Sequence, residues 1–195
     1  MNMLILAAIA AGQLISSEPV RAEKTFLASF DGSRQKYVEL VPGTFRPEAG
    51  ALVALHGHGS DRHQFVDDTR GECAAAREAA LLRGLLYVSP DYRAKTSWMG
   101  PAAESDMLDL LETLRRERGI AKFYFCGGSM GGTSALTFAV RHPDLVAGVE
   151  ILRGAEWRPA GDAAAWAGDG LAVRTEGTPL YRSLVLRLVR EGIVE

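Results

Sequence analysis

The period of the hydrophobic positions changes repeatedly along the chain, and the changes mark an alternation of strands and helices. Lys24–Phe30 and Arg34–Val41 are extended runs separated by Asp31-Gly32-Ser33, and Asp-Gly between such runs predicts a hairpin. Pro42 to Gly50 is rich in proline and glycine and reads as a loop. Ala51–His56, Leu85–Ser89, Ala121–Cys126 and Val146–Leu152 are short apolar runs bounded by turn residues, as expected of strands buried on both faces. Between them lie helical patterns. Glu72–Leu82 is alanine-rich and stops near Gly84, and Thr133–Arg141 ends before Pro143. In Ser105–Arg118 the residues Met107, Leu110, Leu111 and Leu114 fall on one face, and Gly119 closes the helix. Strands alternating with helices predict an α/β fold, a mainly parallel sheet with helices on both faces and an antiparallel hairpin at its N-terminal edge.

The texture changes after Leu152. Arg153–Gly170 is rich in Ala, Gly and Trp and has no clear period, whereas Leu180–Arg190 regains a helical one. At the other end, the apolar run Leu4–Ala11 followed by Val20-Arg21-Ala22 resembles a secretory signal peptide ending at Ala22. Met1-Asn2-Met3 carries none of the usual Lys or Arg, which leaves export and a cytoplasmic location both open. The expected organisation is thus a leader over residues 1–22 and one domain over 23–195.

Composition narrows the function classes. A chain of 195 residues, 47% hydrophobic and 24% charged, suits one soluble domain. The net charge of −2 and the lack of a basic stripe argue against nucleic-acid binding. No apolar run reaches the roughly 18 residues of a membrane span. Cys73 and Cys126 are too few for a disulfide framework or a cysteine-built metal site.

One motif carries chemistry. Gly127-Gly128-Ser129-Met130-Gly131 fits G-x-S-x-G and lies between a predicted strand and a predicted helix. There a sharp turn presents a serine hydroxyl to the cleft, and the helix N-terminus aims N–H groups at the same place. The N–H of Met130 would face the oxyanion of a tetrahedral intermediate. Glycine-rich turns also join strand to helix in nucleotide-binding folds, but neither G-x-G-x-x-G nor Gly-Lys-Ser/Thr is present. His56-Gly57-His58-Gly59-Ser60-Asp61 follows the first buried strand, and the N–H of His58 or Gly59 is the candidate second oxyanion donor. A metal pair of His56 and His58 is the weaker reading, because only His63 lies nearby. No cofactor or metal is expected.

The hairpin, the LHGHGSD loop, the SPDYRAKTSWMGP segment and the CGGSMGGTSAL elbow resemble an α/β-hydrolase, and more narrowly its esterase and prolyl-oligopeptidase-like branch. The resemblance runs from about Lys24 to Leu152. It implies a Ser-His-Asp hydrolase working through an acyl-enzyme on Ser129, with His58 and Met130 as oxyanion donors and Trp98 and Met99 near the cleft mouth. Plain packing under a loop is an equally good reading of Trp98 and Met99. With no Ile/Leu/Phe-rich lid insertion visible, small acyl esters are the expected substrates. A prolyl-oligopeptidase-like peptidase and a hydrolase-like binding protein are the alternatives.

The chain departs from that pattern in its histidines. The family order is Ser, then Asp or Glu, then His, yet of His56, His58, His63 and His142 only the last follows Ser129. At about 1.5 Å per residue, His142 would stand nearly 20 Å along the helix that the elbow begins, far beyond the 3 Å reach of a base. Truncation or alteration relative to the family, a substitute base from the oxyanion loop with His58 best placed, and a ligand-binding protein are the competing explanations. Glu156, Asp162 and Asp169 lie in the right order for the acid, and spacing selects none of them.

Overall fold

The structure is a computed structural model that describes residues 18–151. Six strands form one sheet in the order β1-β2-β4-β3-β5-β6. They are β1 Val20–Leu27, β2 Arg34–Val41, β3 Ala51–Leu55, β4 Leu86–Pro90, β5 Phe123–Gly127 and β6 Gly148–Ile151. The β1–β2 and β2–β4 pairs are antiparallel, and β4, β3, β5 and β6 run parallel. The helices are α1 Gln64–Asp67, α2 Gly71–Leu82, α3 Pro101–Arg118 and α4 Met130–Arg141.

The central strands divide their side chains between two cores, as a pleat of period two requires. Val53 and Leu55 of β3, Leu86 and Val88 of β4, and Phe123 and Phe125 of β5 pack with Met107, Leu110, Leu111 and Leu114 of α3 and Ala135 and Phe138 of α4. Leu52 and Ala54, Tyr87 and Cys126 join the other core, with Phe65 and Val66 of α1 and Cys73, Ala76 and Ala80 of α2. Burial on both faces is why these strands read as unbroken apolar runs rather than alternating ones. Cys73 and Cys126 are free and buried, and burial pushes both thiols up from their ordinary value.

Element boundaries shift where tertiary contacts decide them. β1 starts at Val20, earlier than expected, because its register runs from Val20 opposite Val41 to Leu27 opposite Arg34. A cleavage after Ala22 would therefore remove the first three residues of this strand. Ala28 to Phe30, read as strand, belong to the turn instead: Ala28 N–H bonds the Ser33 carbonyl at 2.8 Å and Gly32 takes φ +74°. α3 begins at Pro101, with Gly100 as its N-cap and Gly119 in the left-handed region as its C-cap. β6 begins at Gly148, two residues later than predicted, after a 3₁₀ turn at Pro143–Leu145. Leu180–Arg190 and the three candidate acids lie outside the described residues.

Candidate active site

The C-terminal ends of β3 and β5 lie side by side, with Leu55 opposite Gly127. From them leave the two loops that the sequence singled out. After Gly127 the chain turns into α4 within two residues, and Ser129 at the turn has φ +54° and ψ −122°. A serine does not adopt this conformation without strain, of order 1–3 kcal/mol. The glycines around it make room for the turn. A side-chain carbon on Gly127 would lie 2.5 Å from the Gly131 carbonyl carbon, and one on Gly131 would lie 2.0 Å from the Leu55 carbonyl oxygen. Ser129 is exposed and Met130 is fully buried. As the first helical residue, Met130 has an N–H with no partner inside the helix.

The loop after β3 lies against this turn, since a side-chain carbon on Gly57 would be 3.9 Å from the Gly128 carbonyl oxygen. Its shape is held from several sides. The Gly57 N–H donates to Gln64 Oε1 at 2.7 Å, and the Ser60 N–H donates to the Gly57 carbonyl at 3.2 Å. The Gly59 N–H, one of the two expected oxyanion donors, instead donates to the Lys95 carbonyl at 2.8 Å, with Gly59 at φ +84°. That bond commits the Gly59 N–H within the protein and leaves the His58 N–H as the candidate from this loop.

The four histidines separate cleanly. His56 is fully buried; its Nδ1 lies 2.9 Å from the Gly57 carbonyl oxygen and its Nε2 3.1 Å from that of Asp91. Tyr92 packs on its ring at 4.5 Å and donates its hydroxyl to the His56 carbonyl at 2.6 Å. His63 lies 3.6 Å from Glu23 and 3.4 Å from Asp67 in a surface ion-pair cluster with Arg21. His142 caps the far end of α4 from Ser129, with Nε2 2.7 Å from Glu104 Oε1 and its ring 4.7 Å from Phe138. His58 alone is exposed on the loop facing the elbow, its ring 6.2 Å from that of Trp98. His56 and His58 thus lead into different surroundings, and no group of three or more His, Cys, Asp or Glu among the described residues is arranged to hold a metal ion.

A third segment, residues 91–100, is tied to the loop after β3 through the Lys95 carbonyl and sets Trp98 beside His58; of this segment the sequence pattern singled out only Trp98 and Met99. Tyr92, Arg93, Trp98 and Met99 all have positive φ, at +31°, +87°, +48° and +54°. Arg93 anchors the segment, donating at 2.7 Å both to Asp31 of the β1–β2 turn and to Asp106 of α3. Burial pushes the Asp106 carboxyl up to about 6 even beside that guanidinium. Asp91 accepts the Arg62 N–H at 3.0 Å, which ties the segment to the loop after β3. These links join residues distant in sequence, so no local pattern announces them.

A family model described as alpha/beta hydrolase fold matches residues 50–173. No curated protein matches the chain. Among solved structures, an S-formylglutathione hydrolase (FrmB) from Staphylococcus aureus is similar with a TM-score of 0.63 at 16% identity, covering 91% of this chain and 86% of that one. FphF, a fluorophosphonate-binding serine hydrolase of the same organism, has a TM-score of 0.59 at 19% identity, covering 90% of this chain and 76% of that one. A thermostable esterase has a TM-score of 0.64 at 22% identity; the match covers 88% of this chain but only 52% of the esterase. At these identities the likeness is one of fold, and the fold is that of esterases and serine hydrolases.

Proposed function

Since the chain belongs to the alpha/beta hydrolase fold family, we propose that it is a serine carboxylic ester hydrolase acting on small acyl esters through an acyl-enzyme on Ser129. The observation that carries this reading is the Ser129 backbone: an exposed serine held at φ +54° at the head of α4, between glycines that tolerate no side chain. In this mechanism Ser129 Oγ attacks the ester carbonyl carbon while its proton passes to a base. The carbonyl π pair moves onto oxygen, and the resulting oxyanion accepts hydrogen bonds from the N–H groups of Met130 and His58. Collapse of the intermediate expels the alcohol, which takes the proton from the base. Water then repeats the attack on the acyl-enzyme and releases the acid. Each such N–H is worth about 3 kcal/mol of transition-state stabilisation.

The base is the open position in this scheme. His142 stands at the other end of a 12-residue helix, His56 is enclosed, and His63 lies against the carboxylates of Glu23 and Asp67. Of the four histidines, His58 is the one that is exposed, and it lies on the loop that packs against the elbow. The test is turnover of p-nitrophenyl acetate and butyrate, with a serine-directed phosphonate to label the protein. Ser129→Ala should lose both turnover and label, and a label on another serine would sink the assignment. With His58 as base, kcat/KM should fall as pH drops through about 6.5, the ordinary histidine range. His58→Ala should lose this limb and His142→Ala should keep it. A rate independent of all four histidines would remove the base from this reading and leave a roughly 10³–10⁴-fold residual from the N–H groups and binding alone.

A further inference from the structure

Trp98 leaves 49% of its surface exposed, although tryptophan is highly buried on average. Its backbone and that of the buried Met99 both sit in the left-handed region, at φ +48° and +54°. Two adjacent non-glycine residues persist there only when the surroundings hold them, and such strain gathers at ligand clamps and active sites. Here the surroundings are explicit. The Ser97 hydroxyl accepts the Ala94 N–H and donates to the Ala94 carbonyl, both at 2.7 Å, and the Gly100 N–H bonds the Ser97 carbonyl at 3.0 Å. The Lys95 carbonyl accepts the Gly59 N–H, so the segment bearing Trp98 and the loop bearing His58 are joined within three residues of each ring. The two rings stand 6.2 Å apart at 46°.

We propose that Trp98, with the His58 ring at its edge, is a specificity-determining platform that receives a flat aromatic ring of the ester. The proposal rests on Ser129 as the reacting centre. A tilted pair of rings offers a face and an edge to a third ring, the arrangement aromatic groups prefer at centroid distances of about 4.5–7 Å. Beside the rings, the Ser97 hydroxyl is engaged with Ala94, and Asp61 accepts the His63 N–H. The two rings are the contact surface on which the proposal rests, and a flat uncharged aromatic group matches them better than a sugar does.

The ring can sit on the acyl or the alcohol side of the ester, and two substrate pairs separate these sources. Methyl 3-phenylpropanoate against methyl butyrate places it on the acid; benzyl acetate against ethyl acetate places it on the alcohol. In wild type the ring-bearing member of one pair should be preferred. In Trp98→Asn the ratio of kcat/KM between the members of that pair should fall about tenfold, through KM. Asn and Gly both accept φ +48°, so Trp98→Gly serves as a second ring-free variant, and Trp98→Phe should restore most of the preference. A ratio unmoved in both pairs, or equal loss of kcat on both members, overturns the platform. Binding separates this outcome from failure of the nucleophile assignment. In a Ser129→Ala background, the preferred aromatic ester should bind saturably by calorimetry, and about tenfold more weakly once Trp98→Asn is added. Equal affinity in the two proteins overturns the platform even if Ser129 proves to be the nucleophile.

Discussion

At the scale of single residues, Ser129 holds its position against its own backbone preference. Its φ of +54° with ψ of −122° is a region natural to glycine. Ser129→Gly should therefore abolish ester turnover yet raise stability by about 1 kcal/mol, read as a higher denaturation midpoint at unchanged slope. Ser129→Ala should abolish turnover without that gain, since alanine keeps the Cβ. A Gly variant no more stable than the Ala variant would show that the turn is not strained. His142 illustrates the reverse case. Its chemistry is suited to catalysis, but its imidazole faces Glu104 and Phe138 at the far end of α4.

At the scale of elements, two joints matter most. One is the loop after β3, where Gly59 at φ +84° donates to the Lys95 carbonyl. Open space surrounds Gly59, so a larger side chain meets no clash and acts only through the backbone. Gly59→Val should break the tie, shift the His58 N–H and lower kcat by about 10²-fold, with little change in circular dichroism. Wild-type kcat in that variant would place the second N–H elsewhere. The other joint fastens α3 to the end of α4. Burial favours the neutral form of Glu104, but Arg141 and His142 outweigh it and hold the carboxyl below its usual range. A lowered native pKa gives stability that is present above the unfolded value of 4.5 and lost as pH falls through the lower native one. Glu104→Gln should thus cost about 1 kcal/mol at pH 7. The gap in melting temperature from wild type should close as pH falls below about 4, with kcat unaffected. A gap that persists in acid would point to packing rather than charge.

At the scale of the whole molecule, Arg93 joins three parts: the β1–β2 turn through Asp31, its own segment after β4, and α3 through Asp106. Asp106 is buried, and that burial pushes its carboxyl up from the ordinary aspartate range to about 6. A raised native pKa works in the opposite sense to that of Glu104. The neutral form's advantage is fully present below the unfolded value and is lost as pH rises through about 6. Asp106→Asn stays neutral, so its stability relative to wild type should rise between pH 4 and 7, by up to about 3 kcal/mol. A pH-independent difference would mean that the Arg93 pair offsets the burial of the charge. Taking the difference against wild type cancels the opposing contribution of carboxylates such as Asp61 and Asp67, whose values are lowered.

What the chain's own pattern determined is local or periodic. Short apolar runs such as ALVALH and AKFYFC, bounded by turn residues, identified β3 and β5 to within two residues, because a strand covered on both faces needs apolar side chains at successive positions. The spacing of Met107, Leu110, Leu111 and Leu114 identified the inner face of α3. G-x-S-x-G between strand and helix marked the turn at Ser129, because the glycines it needs are adjacent in sequence. The tertiary structure decided what depends on partners far along the chain. Pairing with β2 set where β1 begins, since each strand residue is held by the one opposite and not by its neighbours. The Lys95 carbonyl decided that Gly59 is not free to donate, and the length of α4 set His142 apart from the serine. Trp98 read equally well as packing or as cleft mouth, because the contacts that fix its ring beside His58 come from two loops that local sequence does not relate.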